Sequence, residues 1–339
     1  MFGEVLKRKQ WLASFIFTSI LLFNLVLIVS RRRSSLVLVR ETQCSSGCYI
    51  HVAFFGKYAF KKMKIVRGMA RTYGSILEHT HSPVYLHVML DRMSRNRVSR
   101  TLKKVARQFK RKTNVTFYDV EDMALENRES ISVIRKYFFS KDVGKYDDDI
   151  FFLSEVLHTA LPKRLQKLIF LDVDLEFQTD ILQLHQKFED FSEENVMGIA
   201  PDLQPQYRVD FTEFRIRNPG TPVGSPGFQG FNTGVVLFHL QKMRNSQLYN
   251  SLLNETILAN LCSKYRFHGY LGHQDFYTLT GMEHPELYYK LDCSWNRQLD
   301  TGWKNEVERS IFDSYHNCTG KINVLHANGD AVFPHERII

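Results

Sequence analysis

The stretch Leu168-Ile169-Phe170-Leu171-Asp172-Val173-Asp174 joins four large apolar residues to two carboxylates that stand one residue apart. A short apolar run of this kind predicts a buried strand of an α/β sheet. Open α/β sheets bind their ligands at the carboxyl ends of the strands, which is where both carboxylates lie. Where a strand unwinds into a loop, two such carboxylates can turn toward one hard cation. We therefore predict a site for a metal and a diphosphate at this edge.

The same three residues, Asp-Val-Asp, are also typical of an ordinary strand end that meets a polar turn. A phosphatase of the haloacid type is disfavoured, because it has Thr or Val two residues after the second carboxylate and this chain has Glu176. Two further blocks follow the first, and the three together in this order are more specific than any one alone. They are Gly227-Phe228-Gln229-Gly230-Phe231-Asn232-Thr233-Gly234-Val235-Val236-Leu237-Phe238 and Leu271-Gly272-His273-Gln274-Asp275-Phe276.

At these blocks the chain resembles glycosyltransferase family 8, and most closely its xyloside α-1,3-xylosyltransferase branch. The resemblance extends from about Cys48 to the end and includes Leu291-Asp292-Cys293-Ser294-Trp295-Asn296-Arg297-Gln298-Leu299. It implies one catalytic domain of α/β class with the GT-A fold, a Rossmann-like mixed central sheet flanked by helices. It also implies transfer of xylose from UDP-xylose to the xylosyl-glucose on EGF-like repeats of Notch-type receptors.

The resemblance assigns roles to residues at the reaction centre. Asp172, Asp174 and His326 are expected to hold the metal, and a nitrogen ligand beside two carboxylates suits manganese, with magnesium as the alternative. Gln274 and Asp275 are expected beside the anomeric carbon, with Asp275 on the hydroxyls of the donor sugar. Because a Gln is a poor nucleophile, Gln274 favours same-face displacement with retained configuration over a covalent glycosyl-enzyme.

Other positions are expected to contact the two substrates. For the donor, these are Phe55, Gly56, Asp91, Asp148, Val173, Asn232, Thr233, Gly234, Asn328 and Gly329. For the acceptor, they are Tyr207, Arg208, Trp295 and Asn296. Two alternatives stay open here: Asp148 is equally suited to cap a helix, and a core position for Trp295 is nearly as well supported.

The amino-terminal segment differs from the rest. Residues 11–30 are uncharged and mostly apolar, and twenty helical residues span about 30 Å, enough to cross a bilayer. We predict a short cytoplasmic tail at 1–10, a signal anchor at 11–30, a stem at 31–48 and a luminal catalytic domain at 49–339. A cleaved signal peptide is disfavoured by the three arginines that follow. The sequons at Asn114, Asn254 and Asn317 favour this type II arrangement in the endoplasmic reticulum membrane.

The net charge of +9 is unevenly spread. Residues 1–40 hold seven Lys and Arg against one Glu, which leaves +3 for residues 41–339 and no support for nucleic-acid binding. Residues 92–112 carry ten basic residues and no acid, with apolar residues at helical spacing. This predicts a surface helix with a solvated basic face, and contact with a membrane surface is the alternative. A monomer and a dimer are both compatible with the sequence.

Among five cysteines, the resemblance pairs Cys293 with Cys318. A second pair of the branch is missing at both of its positions, which are Asp300 and Gly329 here. Helices are further predicted at 57–79 and 150–160, and a strand at 235–240. The competing functions are a glucoside xylosyltransferase or glucosyltransferase of the same family, and a glycan-binding protein without activity. The second is disfavoured because Asp172, Asp174 and Gln274 are all present.

Overall fold

The strand predicted from the apolar run is β4, Leu168–Leu171, and it lies in the middle of a seven-stranded sheet. The structure is a computed structural model that describes residues 49–112, 114–139, 148–329 and 331–335. The strand order is β3-β2-β1-β4-β7-β6-β8. β4 pairs in parallel with β1 and antiparallel with β7, so the sheet is mixed. The predicted α/β architecture, a mixed central sheet flanked by helices, is confirmed.

The strands of the large sheet are β1 Ile50–Phe55, β2 Val84–Leu90, β3 Asn114–Asp119, β4, β6 Met197–Pro201, β7 Phe231–Phe238 and β8 Tyr288–Lys290. A small sheet holds β5 Leu175–Phe177, β9 Arg297–Gln298 and β10 Val324–His326. The helices are α1 Met63–His79, α2 Arg95–Gln108, α3 Val120–Glu126, α4 Arg128–Phe138, α5 Leu157–Ala160, α6 Ile181–Gln186, α7 Gln206–Asp210, α8 Thr212–Arg217, α9 Leu240–Asn245, α10 Gln247–Ser251, α11 Glu255–Tyr265, α12 His273–Glu283 and α13 Arg309–His316.

Apolar side chains cover both faces of the large sheet, which explains why its central strands lack polar alternation. In β1, Val52 and Phe54 belong to one buried cluster and Ala53 to the other. Successive side chains of a strand point to opposite faces, so a central strand with helices on both sides must be apolar throughout. Both clusters therefore hold β1 and β4 rigidly, with their carboxyl ends at one edge.

Several predicted elements have different bounds. The helix predicted at 57–79 begins at Met63, because Tyr58 adopts a left-handed φ of 63° and its N–H donates to Asp91 Oδ2 at 2.6 Å. The helix predicted at 150–160 is wrong as one element: two short 3₁₀ turns precede α5. The basic helix is confirmed as α2, and its buried residues include Val98, Leu102 and Val105.

The small sheet brings the far end of the chain to the loop after β4. β10 pairs antiparallel with β5 and in parallel with β9. The Ala327 N–H donates to Asp174 O at 2.9 Å. This pairing sets His326 beside residues that lie about 150 positions earlier in sequence, a placement that only the tertiary fold provides.

The predicted disulfide between Cys293 and Cys318 is present. At the missing second pair, a Cβ built on Gly329 would lie 2.7 Å from Asp300 Oδ2, so the two positions are immediate neighbours. That proximity supports the interpretation that this chain lost a cross-link at these positions.

Residues 1–48 lie outside the described part of the chain, and with them the predicted tail, span and stem. Across residues 49–335, apart from the gaps given above, no helix combines the length and the apolar character that a membrane span requires. On this finding the predicted localisation, a single-pass type II protein of the endoplasmic reticulum membrane, is corrected.

Candidate active site

The loop after β4 carries the two carboxylates and is held from both sides. The Asp172 N–H donates to Gly234 O on β7 at 2.9 Å. From helix α1, Thr72 Oγ1 lies 3.0 Å from Val173 O and 2.9 Å from Leu175 O, and it accepts a bond from Leu175 N. α1 can approach this closely because Gly68 has no side chain, and a Cβ there would lie 2.5 Å from Val173 O. The loop is therefore fixed before any ligand binds.

His326 faces this loop from β10. Its Nε2 atom lies 3.3 Å from Asp174 Oδ1 and 3.6 Å from Asp172 Oδ2. One ligand atom from each of the three residues lies within 4.8 Å of the others. The structure thus brings together the three predicted metal ligands.

The pKa values of these groups reflect their mutual interaction. Burial and the neighbouring Asp174 carboxylate raise the pKa of Asp172. Burial alone would also raise the pKa of Asp174, but the adjacent His326 ring holds that pKa below its usual value. Burial alone would lower the pKa of His326. The two neighbouring carboxylates have a larger, opposite effect, so the pKa of this ring is raised.

The donor set fits a divalent transition metal. Two carboxylate oxygens and an imidazole nitrogen converge, and Mn²⁺ accepts both kinds of ligand. A calcium site would instead be built of oxygen ligands alone. Three protein ligands leave further coordination positions open to other ligands.

A cavity of about 1000 Å³ opens over the three ligands. Nine more predicted site residues line it, namely Phe55, Gly56, Asp148, Val173, Asn232, Thr233, Gln274, Asn328 and Gly329. Asp148 caps the first 3₁₀ turn through Ile150 N, and it pairs with Lys57 at the cavity wall. Asn328 is tied down, since its Oδ1 accepts from Leu299 N and Asp300 N.

Gln274 reaches the cavity from the first turn of α12. Gly272 precedes the helix with a φ of 65°, a left-handed value that glycine adopts without strain. The Gln274 Oε1 atom accepts a bond from Thr233 N at 3.4 Å, which links α12 to β7. The carboxamide is thereby held at the wall.

Asp275, predicted to contact the donor sugar, does not line the cavity. Its side chain is fully buried, with Oδ1 accepting from the Tyr207 hydroxyl at 2.9 Å and Oδ2 from Leu271 N. Tyr207, predicted as an acceptor contact, is likewise buried against it and not at the wall. Side chains on adjacent positions of a helix point in different directions, which explains why Gln274 faces the cavity and Asp275 does not.

Five other predicted contacts lie off the cavity wall. Trp295 is 5% exposed and belongs to the core, which was the alternative for it. The Asp91 carboxylate accepts hydrogen bonds from the Tyr58 and Ser94 N–H groups and from the Ser94 hydroxyl. Arg208 lies on α7 beside Tyr315.

Asn296 is fully buried and contacts His326. Gly234 also lies off the wall. A Cβ on this glycine would lie 2.4 Å from the His326 ring, so its role is to make room for that ring.

The cavity also has wall residues that the sequence analysis missed. Asp202 follows the end of β6, and the strand-end rule that found Asp172 would have found it too. Lys62 and Lys64 stand at the start of α1, and Gln204 and Trp303 also line the wall. No local sequence pattern distinguishes these four from ordinary surface residues.

Comparisons with known proteins agree with this geometry. A family model described as Glycosyl transferase family 8 matches residues 47–331. Xyloside xylosyltransferase 1 of Mus musculus is 40% identical over 262 residues, which cover 76% of this chain and 66% of that protein. The crystal structure of mouse xyloside xylosyltransferase 1 in its apo form superposes with a TM-score of 0.79 at 35% identity, over 84% of this chain and all of that one.

A galactosyltransferase, LgtC, solved with donor and acceptor sugar analogs, has a TM-score of 0.52 at 17% identity, over 83% of this chain and 88% of that one. At that identity the likeness concerns the fold alone. Together these matches confirm the predicted resemblance and a GT-A-like fold. The chain spans 66% of the length of the mouse relative.

Proposed function

This chain belongs to glycosyltransferase family 8, and from that premise we propose that it is a retaining α-1,3-xylosyltransferase. The donor is UDP-xylose, and the acceptor is the 3-hydroxyl of xylose in xylose-α-1,3-glucose on EGF-like repeats. The relatives named xyloside xylosyltransferase 1 support the xylosyltransferase class. The acceptor and the Mn²⁺ requirement are this proposal's own additions.

One observation carries the proposal: Asp172, Asp174 and His326 converge under a cavity whose wall also holds Gln274. A divalent cation held by these three residues would supply Lewis-acid stabilisation of the UDP leaving group. The three residues keep their side chains within reach of one point, so little ordering is required when the donor binds.

The groups at the wall favour same-face displacement over a covalent glycosyl-enzyme as the route to retained configuration. A covalent glycosyl-enzyme would need an ionised carboxylate or a similar nucleophile beside the sugar. Gln274 cannot act in this way, and burial raises the pKa of Asp202 to about 8, so that carboxyl group is protonated at neutral pH. The Gln274 carboxamide can instead orient the sugar and stabilise the positive charge that develops on it.

The test is a transfer assay with a panel of UDP-sugars and a xylosyl-glucose acceptor, followed by NMR of the product. We expect UDP-xylose to be the preferred donor and the new linkage to be α-1,3. A β product would overturn the retaining mechanism. Preference for UDP-glucose, or for a bare glucosyl acceptor, would assign the chain to a neighbouring activity of the family.

The metal requirement is tested by Asp172→Asn and Asp174→Asn. Each change removes ligand charge at a loop and not core packing, so we expect loss of Mn²⁺ binding and of transfer in a protein that stays folded. Asp190→Asn, which affects an exposed pair with Lys187, is the control. Full activity in a chelator, or in either site variant, contradicts the proposal.

A further inference from the structure

A network of hydrogen bonds connects the His326 ring, through Asn296, to Asn232 at the cavity wall. Asn296 is fully buried, and its Oδ1 lies 2.8 Å from His326 Nδ1. On its other side, Asn296 Nδ2 donates to Asn232 Oδ1 at 2.8 Å and to Asn232 O at 3.2 Å. Asn232 itself lines the cavity.

The direction of every hydrogen bond in this network follows from the backbone N–H of Gly234. The Gly234 N–H can only donate, and it points at the Asn232 side chain at 3.1 Å, so that atom is the Asn232 oxygen. An oxygen that accepts from Gly234 also requires a donor from Asn296, which must therefore be its NH₂ group. The Asn296 oxygen then faces His326, and the bond between them requires a proton on Nδ1.

A neutral imidazole with its proton on Nδ1 has an unprotonated Nε2, and Nε2 is the atom that faces Asp172 and Asp174. Only an unprotonated ring nitrogen can bind a metal. We propose that Asn296 is a positioning residue that fixes His326 in the Nδ1-protonated tautomer and so presents the Nε2 lone pair to a divalent cation. The inference rests on the proposed function only for the place of that cation.

The packing around the ring is consistent with one fixed orientation. A Cβ on Gly234 would lie 2.5 Å from His326 Nδ1 and 3.1 Å from Asn296 Oδ1. The ring and the carboxamide therefore occupy space beside β7 that any side chain at position 234 would fill. Asn232, which the sequence analysis predicts to contact the sugar donor, thus belongs to the same hydrogen-bond network as the metal ligand His326.

The first test reads the tautomer in the metal-free protein. Histidine-selective ¹⁵N labelling and two-bond ¹H–¹⁵N spectra distinguish the protonated ring nitrogen from the bare one, and His326→Gln assigns the signals. At a pH at which the ring is neutral, we expect the proton on Nδ1. A proton on Nε2 of the wild-type ring overturns the inference.

The second test measures Mn²⁺ affinity by calorimetry with the metal alone. We expect Asn296→Ala to bind Mn²⁺ about 10–100-fold more weakly than the wild type. Asn296→Asp, which keeps an acceptor oxygen for Nδ1–H, should bind more tightly than Asn296→Ala. Asn195→Ala is the matched control, since it removes a carboxamide that bonds Ser192 N and Glu286 O away from the site. A folded Asn296→Ala protein with wild-type affinity overturns the inference.

Failure of the proposed function gives a different result. A wild-type protein that binds Mn²⁺ with His326 protonated on Nδ1, but transfers no xylose, supports the positioning role and counts against the proposed reaction alone. A wild-type protein that binds no Mn²⁺ overturns the inference together with the metal site.

Discussion

Gln274 is the residue on which the same-face displacement depends. We expect its replacement to lower activity by an intermediate amount, without abolishing it. Gln274→Ala removes a group that stabilises developing charge, for which losses of about 10²–10³-fold in kcat are typical. Loss of a nucleophile would abolish measurable turnover. Steady-state kinetics decide between them, with Gln274→Glu as the companion variant. Undetectable turnover in a folded Gln274→Ala protein would argue for a covalent role.

Glu155 is a buried carboxyl group whose titration makes the stability of the protein depend on pH. Its side chain is fully buried, Ser154 Oγ donates to its Oε2, and its Oε1 has no partner among the described residues. Burial raises the pKa of Glu155 from 4.5 to about 8. Between these values the folded state holds a proton that the unfolded state has lost, so stability falls as pH rises.

Glu155→Gln removes this titration while keeping the shape of the side chain. We expect the variant to be more stable than the wild type at pH 8, and the difference to shrink as the pH falls toward 4.5. Urea unfolding at pH 5 and pH 8 measures both. Parallel stability profiles of the two proteins would refute the assignment.

Individual residues differ in how far the sequence could predict them. Asp172 and Asp174 were predictable because their signal is local, an apolar strand that ends in carboxylates. Tyr207 and Asn296 were not, because a tyrosine or asparagine has the same local pattern at a cavity wall and in a core. Their positions depend on Asp275 and His326, which the chain brings to them from other elements.

At the scale of elements, α1 supports the metal loop through one hydroxyl. Thr72→Val keeps the shape but leaves Leu175 N without its acceptor, at a cost of about 1–3 kcal/mol. Because the same hydroxyl contacts Val173 O between the two ligands, we also expect weaker Mn²⁺ binding. Denaturant unfolding and calorimetry measure the two effects.

Thr280→Val is the control for this change. It removes another buried hydroxyl, which lies 2.6 Å from Phe276 O in α12. Both variants should lose stability, and only Thr72→Val should lose metal affinity. Equal affinities in the two variants would show that α1 does not position the loop.

Elements were predicted best where the pattern was long and apolar. β4 and the core face of α2 follow from the spacing of their apolar residues. The start of α1 did not, because Asp91 from β2 holds Tyr58 in a turn that local propensity does not encode. The small sheet was also missed, since β9 has only two residues and β10 three, too short for any periodic signal.

At the scale of the whole molecule, the basic residues are concentrated in one part of the sequence. Residues 57–112 hold sixteen Lys and Arg against two acidic residues, although residues 41–339 together carry only +3. The exposed bases at the start of α1, which we call the basic face, are Lys61, Lys62, Lys64 and Arg67. The face is continuous with the cavity, because Lys62 and Lys64 line the wall.

A basic face beside a cavity lined by carboxylates should attract an anionic donor to the entrance. Fields of this kind raise association rates by about 10–10³-fold, and salt screens them over a distance of about 10 Å at 0.1 M. Arg67 does not line the cavity, so Arg67→Glu should lower kcat/KM for the nucleotide sugar and leave kcat unchanged. The salt dependence of kcat/KM should flatten in the same variant. Arg217→Glu, a charge reversal on α8, is the control, and equal losses in both proteins would mean that net charge alone, without its placement beside the cavity, governs donor capture.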